Sequence, residues 1–310
     1  MELEPGMIKT FPSPRIIPSL VVLGLATLAC PSCARPATAP QEIPFDFKTR
    51  QPIVQARVNG GPPVPFLVDT GASINLIDER VAASAGVSPG ASWRMHGGGE
   101  SGFDARSAGP LTLETNGVVW KEQRAALAPI GYPDKKHYAG FIGAPILMRY
   151  AVQIDFTQRV IRLLDPAAYK APSGATQIPF ELQDDLPVVR VRVDAGTGPI
   201  EARLMVDTGA GTWVDLNRPF VDAHGLVDAA QETAIVGRPA GLGGTAPFLY
   251  REGRSVTFGG VTFEKPRLGF SRARSGSSSS DERDGVLGNE VLRHFRVTFD
   301  YSRRVLVLEK

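Results

Sequence analysis

From about residue 40 onward the apolar and polar positions of this chain mostly alternate with the period of β-strands. Val189-Arg190-Val191-Arg192-Val193 alternates strictly, so a strand here faces its valines inward and its arginines to solvent. Residues 152–164 and 297–308 each read as strand, tight turn at Asp155 or Asp300, strand. Helical signals are short. One helix is predicted over 78–86 and another over 217–225, with Asp78 and Asn217 suited to the N-cap and Gly86 and Gly225 to the stop. Two more are predicted at 145–150 and 290–295, and residues 271–284, with four consecutive serines, read as a mobile or disordered insert. The pattern predicts an all-β protein with a few short helices.

The pattern is also written twice. Ile43-Pro44-Phe45-Asp46-Phe47 returns 135 positions later as Ile178-Pro179-Phe180-Glu181-Leu182. Val68-Asp69-Thr70-Gly71-Ala72 returns after 138 as Val206-Asp207-Thr208-Gly209-Ala210, and Gly140-Phe141-Ile142-Gly143 after 145 as Gly285-Val286-Leu287-Gly288. That last register holds to the end, where Ile154-Asp155-Phe156 answers Phe299-Asp300-Tyr301. Ordered blocks whose spacing grows only between motifs imply an internal duplication with longer loops in the second copy. The boundaries read as a first lobe over 43–164, a Pro/Ala/Gly-rich link over 165–177 and a second lobe over 178–310.

Ahead of the first copy lies the only long apolar run, 16–29, preceded by Lys9 and Arg15 and followed by small residues. Fourteen such residues suit the core of a secretory signal better than a bilayer span, so 1–34 reads as a removable leader. Glu2 and Glu4 fit a basic start poorly, which points to initiation at Met7. Cleavage fits after Ala34 or Ala39. Alternatively, Leu28-Ala29-Cys30 is similar to a bacterial lipoprotein box, which makes Cys30 the lipidation candidate and attaches the protein to a membrane. A buried core helix is the bland alternative. The expected location is the periplasm or cell envelope.

Composition narrows the chemistry. The 310 residues carry 34 Lys+Arg against 32 Asp+Glu, and no basic run, which argues against a nucleic-acid partner. Two Cys, both in the leader, exclude a disulfide scaffold and a four-thiolate zinc site. The four His are scattered without ligand spacing, and there is no Gly-x-Ser-x-Gly elbow or phosphate-binding loop. Neither a metal nor another cofactor is expected. Trp93, Trp120 and Trp213 read as packing residues.

The repeated tripeptide is different. Each Asp-Thr-Gly follows an apolar run, 65–68 or 203–206, so a buried strand ends in a carboxylate and then a tight turn. A carboxylate there is costly unless hydrogen-bonded or functional. A single copy is explained by an Asx-type turn closing a hairpin. Two copies, each retaining Asp, Thr, Gly and Ala, ask for more. Two carboxylates a few ångströms apart share one proton, so one can take a proton from water while the other donates to a carbonyl oxygen.

Asp-Thr-Gly-Ala after an apolar strand, with Phe141-Ile142-Gly143 or Val286-Leu287-Gly288 later in the same copy, resembles the aspartic proteases, and the retropepsin branch in particular. The resemblance covers about 43–310 and implies two homologous β-barrel lobes related by a pseudo-twofold axis. It implies a catalytic pair, Asp69 and Asp207, with neither assignable as acid or base. Thr70 and Thr208 would cross-link the loops, Gly71 and Gly209 would let them approach, and Ala72 and Ala210 would complete them. Gly97, Gly98 and Gly99, or Gly241, Gly243 and Gly244, would form a flap over an extended polypeptide substrate. The expected protein is an exported, single-chain endopeptidase, a monomer that is its own pseudo-dimer, with latency supplied by a closed flap. The competing readings are a non-catalytic envelope protein that binds peptides or a partner on the same fold, and a chain that works only as an assembled oligomer.

Overall fold

The computed structural model describes residues 41–228, 236–239 and 241–310. The leader, with Cys30, lies outside them. The described chain is mostly β and forms three sheets.

The first half builds a seven-stranded sheet. Its central order is Ile53–Val58, Val64–Val68, Gly140–Ile142, Leu76–Asp78, Val118–Ala128 and Phe103–Thr115, ending on Ser92–Met95. Ile53–Val58 also pairs with Phe103–Thr115, which closes the sheet on itself. The second half repeats this plan in a ten-stranded sheet. In both, the strand that leads into Asp-Thr-Gly lies parallel to the later Gly-x-x-Gly strand: Val64–Val68 on Gly140–Ile142, and Pro199–Val206 on Gly285–Leu287. A parallel pair needs a long crossover, and each half's hairpins supply it. That crossover returns the chain to the base of the Asp loop.

The third sheet joins the halves. Its six strands run Gln41–Pro44, Val160–Leu164, Ala151–Asp155, Arg296–Asp300, Val305–Glu309, Thr176–Pro179. The two central strands are antiparallel, with Gln153 opposite Thr298 and Arg296 opposite Asp155, while Asp300 faces Ala151. Gln153 and Thr298 are counterparts in the two halves, so the residue on the axis pairs with its own equivalent. This is the isologous pattern of a twofold interface, realised within one chain.

Local patterning is obeyed closely. In Leu186–Asp194 the valines are buried while Arg190 and Arg192 are exposed. Asp78 caps the helix Glu79–Ser84 by accepting from the Arg80 N–H at 3.0 Å. Asn217 precedes Arg218–Ala223 but caps nothing with its side chain. Its Nδ2 instead donates to the carbonyls of Ser277, Ser280 and Arg283. The serine-rich segment, expected to be mobile or disordered, is held by this side chain around the short 3-10 turn Ser277–Ser279. The two helices after the Gly-x-x-Gly blocks are single turns, Ala144–Leu147 and Asn289–Leu292, shorter than the pattern predicts because the next strand starts at Ala151 or Arg296. Trp120 is buried and donates to the Tyr150 hydroxyl, whereas Trp93 stands exposed on its strand rather than packing.

Candidate active site

Each Asp sits where a buried strand is pinned before it turns. The last three residues of Val64–Val68 are buried, and the Asp69 N–H then donates to Ile142 O at 3.0 Å. In the second half the Asp207 N–H donates to Leu287 O at 3.0 Å. The glycine two residues on turns back, and its N–H donates to the carboxyl: Gly71 to Asp69 Oδ1 at 2.8 Å, Gly209 to Asp207 Oδ1 at 2.7 Å. Both carboxyls are thereby fixed in rotamer by their own loops.

The threonines lock one loop to the other. The Thr70 hydroxyl donates to Val206 O at 2.7 Å and accepts from the Thr208 N–H at 3.0 Å. The Thr208 hydroxyl does the reverse, donating to Val68 O at 2.7 Å and accepting from the Thr70 N–H at 3.0 Å. Four buried hydrogen bonds, pairwise identical, satisfy both threonine hydroxyls and both threonine N–H groups. The glycines set the spacing. A Cβ on Gly71 would lie 2.6 Å from the Asp207 carboxyl, and one on Gly209 2.6 Å from that of Asp69. Neither glycine is needed for its backbone angles; each is needed for room.

The two carboxyls lie against each other's loops, close enough that each acts on the other's proton. Burial pushes the proton affinity of both upward, and for Asp69 the neighbouring Asp207 carboxylate pushes it further. The pair therefore retains one proton well above the ordinary carboxylate range and titrates as a unit. Burial and the Asp69 charge also raise the phenols of Tyr138 and Tyr301, which keeps both neutral hydrogen-bonding groups.

Several residues around the loops have no counterpart in the repeat. Asn289, fully buried, donates from Nδ2 to Thr208 O at 2.7 Å and Arg50 O at 2.8 Å. Gln51 reaches across the halves, its Nε2 donating to Gly209 O at 2.5 Å while His137 Nε2 lies 3.2 Å from its Oε1. Arg50 pairs with Glu290 at 3.1 Å. Asn75, also fully buried, accepts from the Gly143 N–H at 3.0 Å. The signal that finds Asn289 is asymmetry, since the matching place in the first copy is Ala144. Another asymmetry is acidic. Leu76 pairs with Phe141, and Asp215 takes the same place against Val286. Its charge adds to the upward push on Asp207.

Both glycine-rich candidates are hairpin tips. Residues 97–102 join Ser92–Met95 to Phe103–Thr115, and Gly241, Gly243 and Gly244 lie between Val236–Pro239 and Thr245–Glu252. The two tips meet each other: the Gly99 N–H donates to Leu242 O, and the Ser101 N–H to Gly243 O. Gly97 O in turn accepts from the Ser277 N–H. Among the described residues no group of three or more His, Cys, Asp or Glu could hold a metal ion, and no helix is long and apolar enough to cross a membrane.

Residues 54–146, which hold the first Asp loop and its Gly-x-x-Gly strand, match a family model described as aspartyl protease. A solved structure, the aspartic proteinase from Irpex lacteus, superposes with a TM-score of 0.55 at 15% identity, covering 88% of this chain and 97% of that one. At that identity the likeness concerns the fold. No curated protein sequence matches the chain.

Proposed function

We propose that this chain, whose residues 54–146 match the aspartyl protease family model and whose fold is like that of an aspartic proteinase, is an endopeptidase whose catalytic groups are Asp69 and Asp207. The observation that supports this best is the reciprocal threonine lock, which holds two buried carboxyls side by side around one proton. In the proposed reaction a water lies between them. The ionised carboxyl takes a proton from that water as its oxygen bonds to the scissile carbonyl carbon. The protonated carboxyl gives its proton to the carbonyl oxygen, so the tetrahedral adduct forms as a neutral gem-diol. A proton then passes to the departing nitrogen, the C–N bond breaks, and the pair again holds one proton. No covalent adduct with the chain is required.

The hairpin tips would cover an extended peptide and limit water, and the second half supplies what a separate subunit would otherwise provide. We further propose that the protein acts outside the cytoplasm as a monomer, either freed by cleavage of 1–34 or held through a lipid on Cys30. The test is a mixed peptide library incubated with the full chain at pH values from roughly 3 to 8, with and without pepstatin, and read by mass. Pepstatin-sensitive new termini are expected. Peptides retained intact at every pH would instead favour a binding protein on this fold.

A further inference from the structure

The second half's tip is hydrogen-bonded to the first, backbone to backbone. Leu242 O accepts from the Gly99 N–H at 3.0 Å, Gly243 O from the Ser101 N–H at 2.8 Å, and Thr245 O from the Glu100 N–H at 3.0 Å. The approach is as close as backbones allow: a Cβ on Gly99 would come 2.2 Å from Gly243 O, and one on Gly243 2.2 Å from Ser101 O. Gly243 also has φ +87°, a conformation that side chains rarely adopt. The contact is reinforced from the serine-rich segment, where the Arg274 N–H donates to the Glu100 carboxylate at 2.6 Å and the Ser275 hydroxyl to Glu100 O at 2.7 Å.

Between Gly241 and Gly243 stands one aliphatic side chain. Leu242 is 9% exposed, little for a leucine at a glycine-rich tip, and it belongs to a buried apolar cluster otherwise made of first-half residues. That cluster includes Leu67, Leu76, Tyr138 and Phe141, with Ala72 at its border. It adjoins the catalytic loop: Leu67 immediately precedes the Val68-Asp69 step, Ala72 ends the Asp loop, and Tyr138 feels the Asp69 charge. A side chain from one half thus joins an apolar cluster of the other half that reaches the residues flanking its Asp loop, while its backbone is held by the opposing tip.

We propose that Leu242 is a built-in occupant of an apolar side-chain subsite on the Asp69 side of the cleft: it blocks the resting site, and a leucine-sized aliphatic side chain of the substrate takes its place. This rests on the endopeptidase reading for its meaning, though not for its test. Substrate binding then competes with the latch, and apparent affinity is reduced by the fraction of molecules in which the latch is open. The matching position on the second half carries Asp215 rather than Leu76, so the aliphatic preference is specific to one side.

The experiment measures binding, not turnover. A fluorescein-labelled hexapeptide with a central Leu is titrated into the full chain carrying Asp207→Asn, alone and combined with Leu242→Ala or Leu242→Met, and followed by anisotropy. Leu242→Ala is expected to tighten binding on the order of tenfold, with Leu242→Met near the parent and a central-Asp peptide bound weakly by all. Hydrogen exchange at Gly99 and Ser101 should quicken in the Ala variant. Binding that is unchanged or weakened by Leu242→Ala, or tightened equally by Leu242→Met, would overturn the proposal. If peptide bonds are never cleaved yet Leu242→Ala tightens binding, the latch stands and the endopeptidase reading falls.

Discussion

Asp69 and Asp207 are costly to the fold. Their proton affinity is raised in the folded state by burial, and for Asp69 also by the adjacent carboxylate. A carboxyl whose folded pKa lies above its unfolded value contributes stability only below the unfolded value, about 3.9, and loses it as pH rises through the folded one. Asp69→Asn is therefore expected to raise the melting temperature at pH 7 by a few degrees, with the gain vanishing towards pH 3. Thermal denaturation at the two pH values checks this. Asp215 acts in the same sense on Asp207. Asp215→Asn should lower the proton affinity of the pair and move the alkaline limb of a pH–rate profile to lower pH. A shift upward would show that Asp215 is too far from the pair to matter. The glycines were readable as turn residues from sequence alone. Their actual role, making room for the opposite carboxyl, was not, because nothing local to Gly71 refers to Asp207.

Between elements, hydrogen bonds rather than apolar packing hold the loops in place. Asn289 begins a one-turn helix and ties two carbonyls from different segments, Thr208 O and Arg50 O. Asn289→Ala reproduces what the first half has at Ala144 but leaves both carbonyls without that donor. A loss of about 1–3 kcal/mol is expected, measurable by denaturant unfolding. A neutral result would mean that the Arg50 strap is not held by this residue. The strands were legible because one face of each is buried, which stamps a period of two on Leu186–Asp194 and its like. Gln51 was not legible: its Nε2 reaches Gly209 O, 158 residues away, and no spacing rule announces such a contact. The contacts of the serine-rich segment were hidden for a related reason. Its composition is that of a loop, but Asn217 and the glycine tip supply the order from elsewhere.

For the whole molecule, the repeated blocks in the sequence foretold a pseudo-twofold arrangement, and the fold has one. Its axis passes through the pairing of Gln153 with Thr298 and between the two threonines of the lock. The six-stranded sheet across the halves was beyond the sequence, since period-two patterning shows that a strand exists but not which strand it joins. Its central cross-half ion pair, Asp155 with Arg296 at 3.0 Å, has pH behaviour opposite to that of the Asp69–Asp207 pair. Burial alone would raise Asp155, but the Gln158 N–H, Arg296 and Arg162 outweigh it and hold it low. That contribution is present above about pH 3.9 and lost as pH falls through the lower folded value. The halves are thus tied most firmly under conditions that strain the site between them.

The central claim is that two carboxyls, one from each half, act as a single device. Its most direct measurement is the rate of peptide cleavage by the full chain bearing Asp69→Asn or Asp207→Asn alone, at the parent's best pH, with circular dichroism confirming the fold. Each variant is predicted to lose activity on the order of a thousandfold or more, to a similar extent, because groups that work as a unit fail together. Either single variant cleaving at the parent's rate would contradict the account.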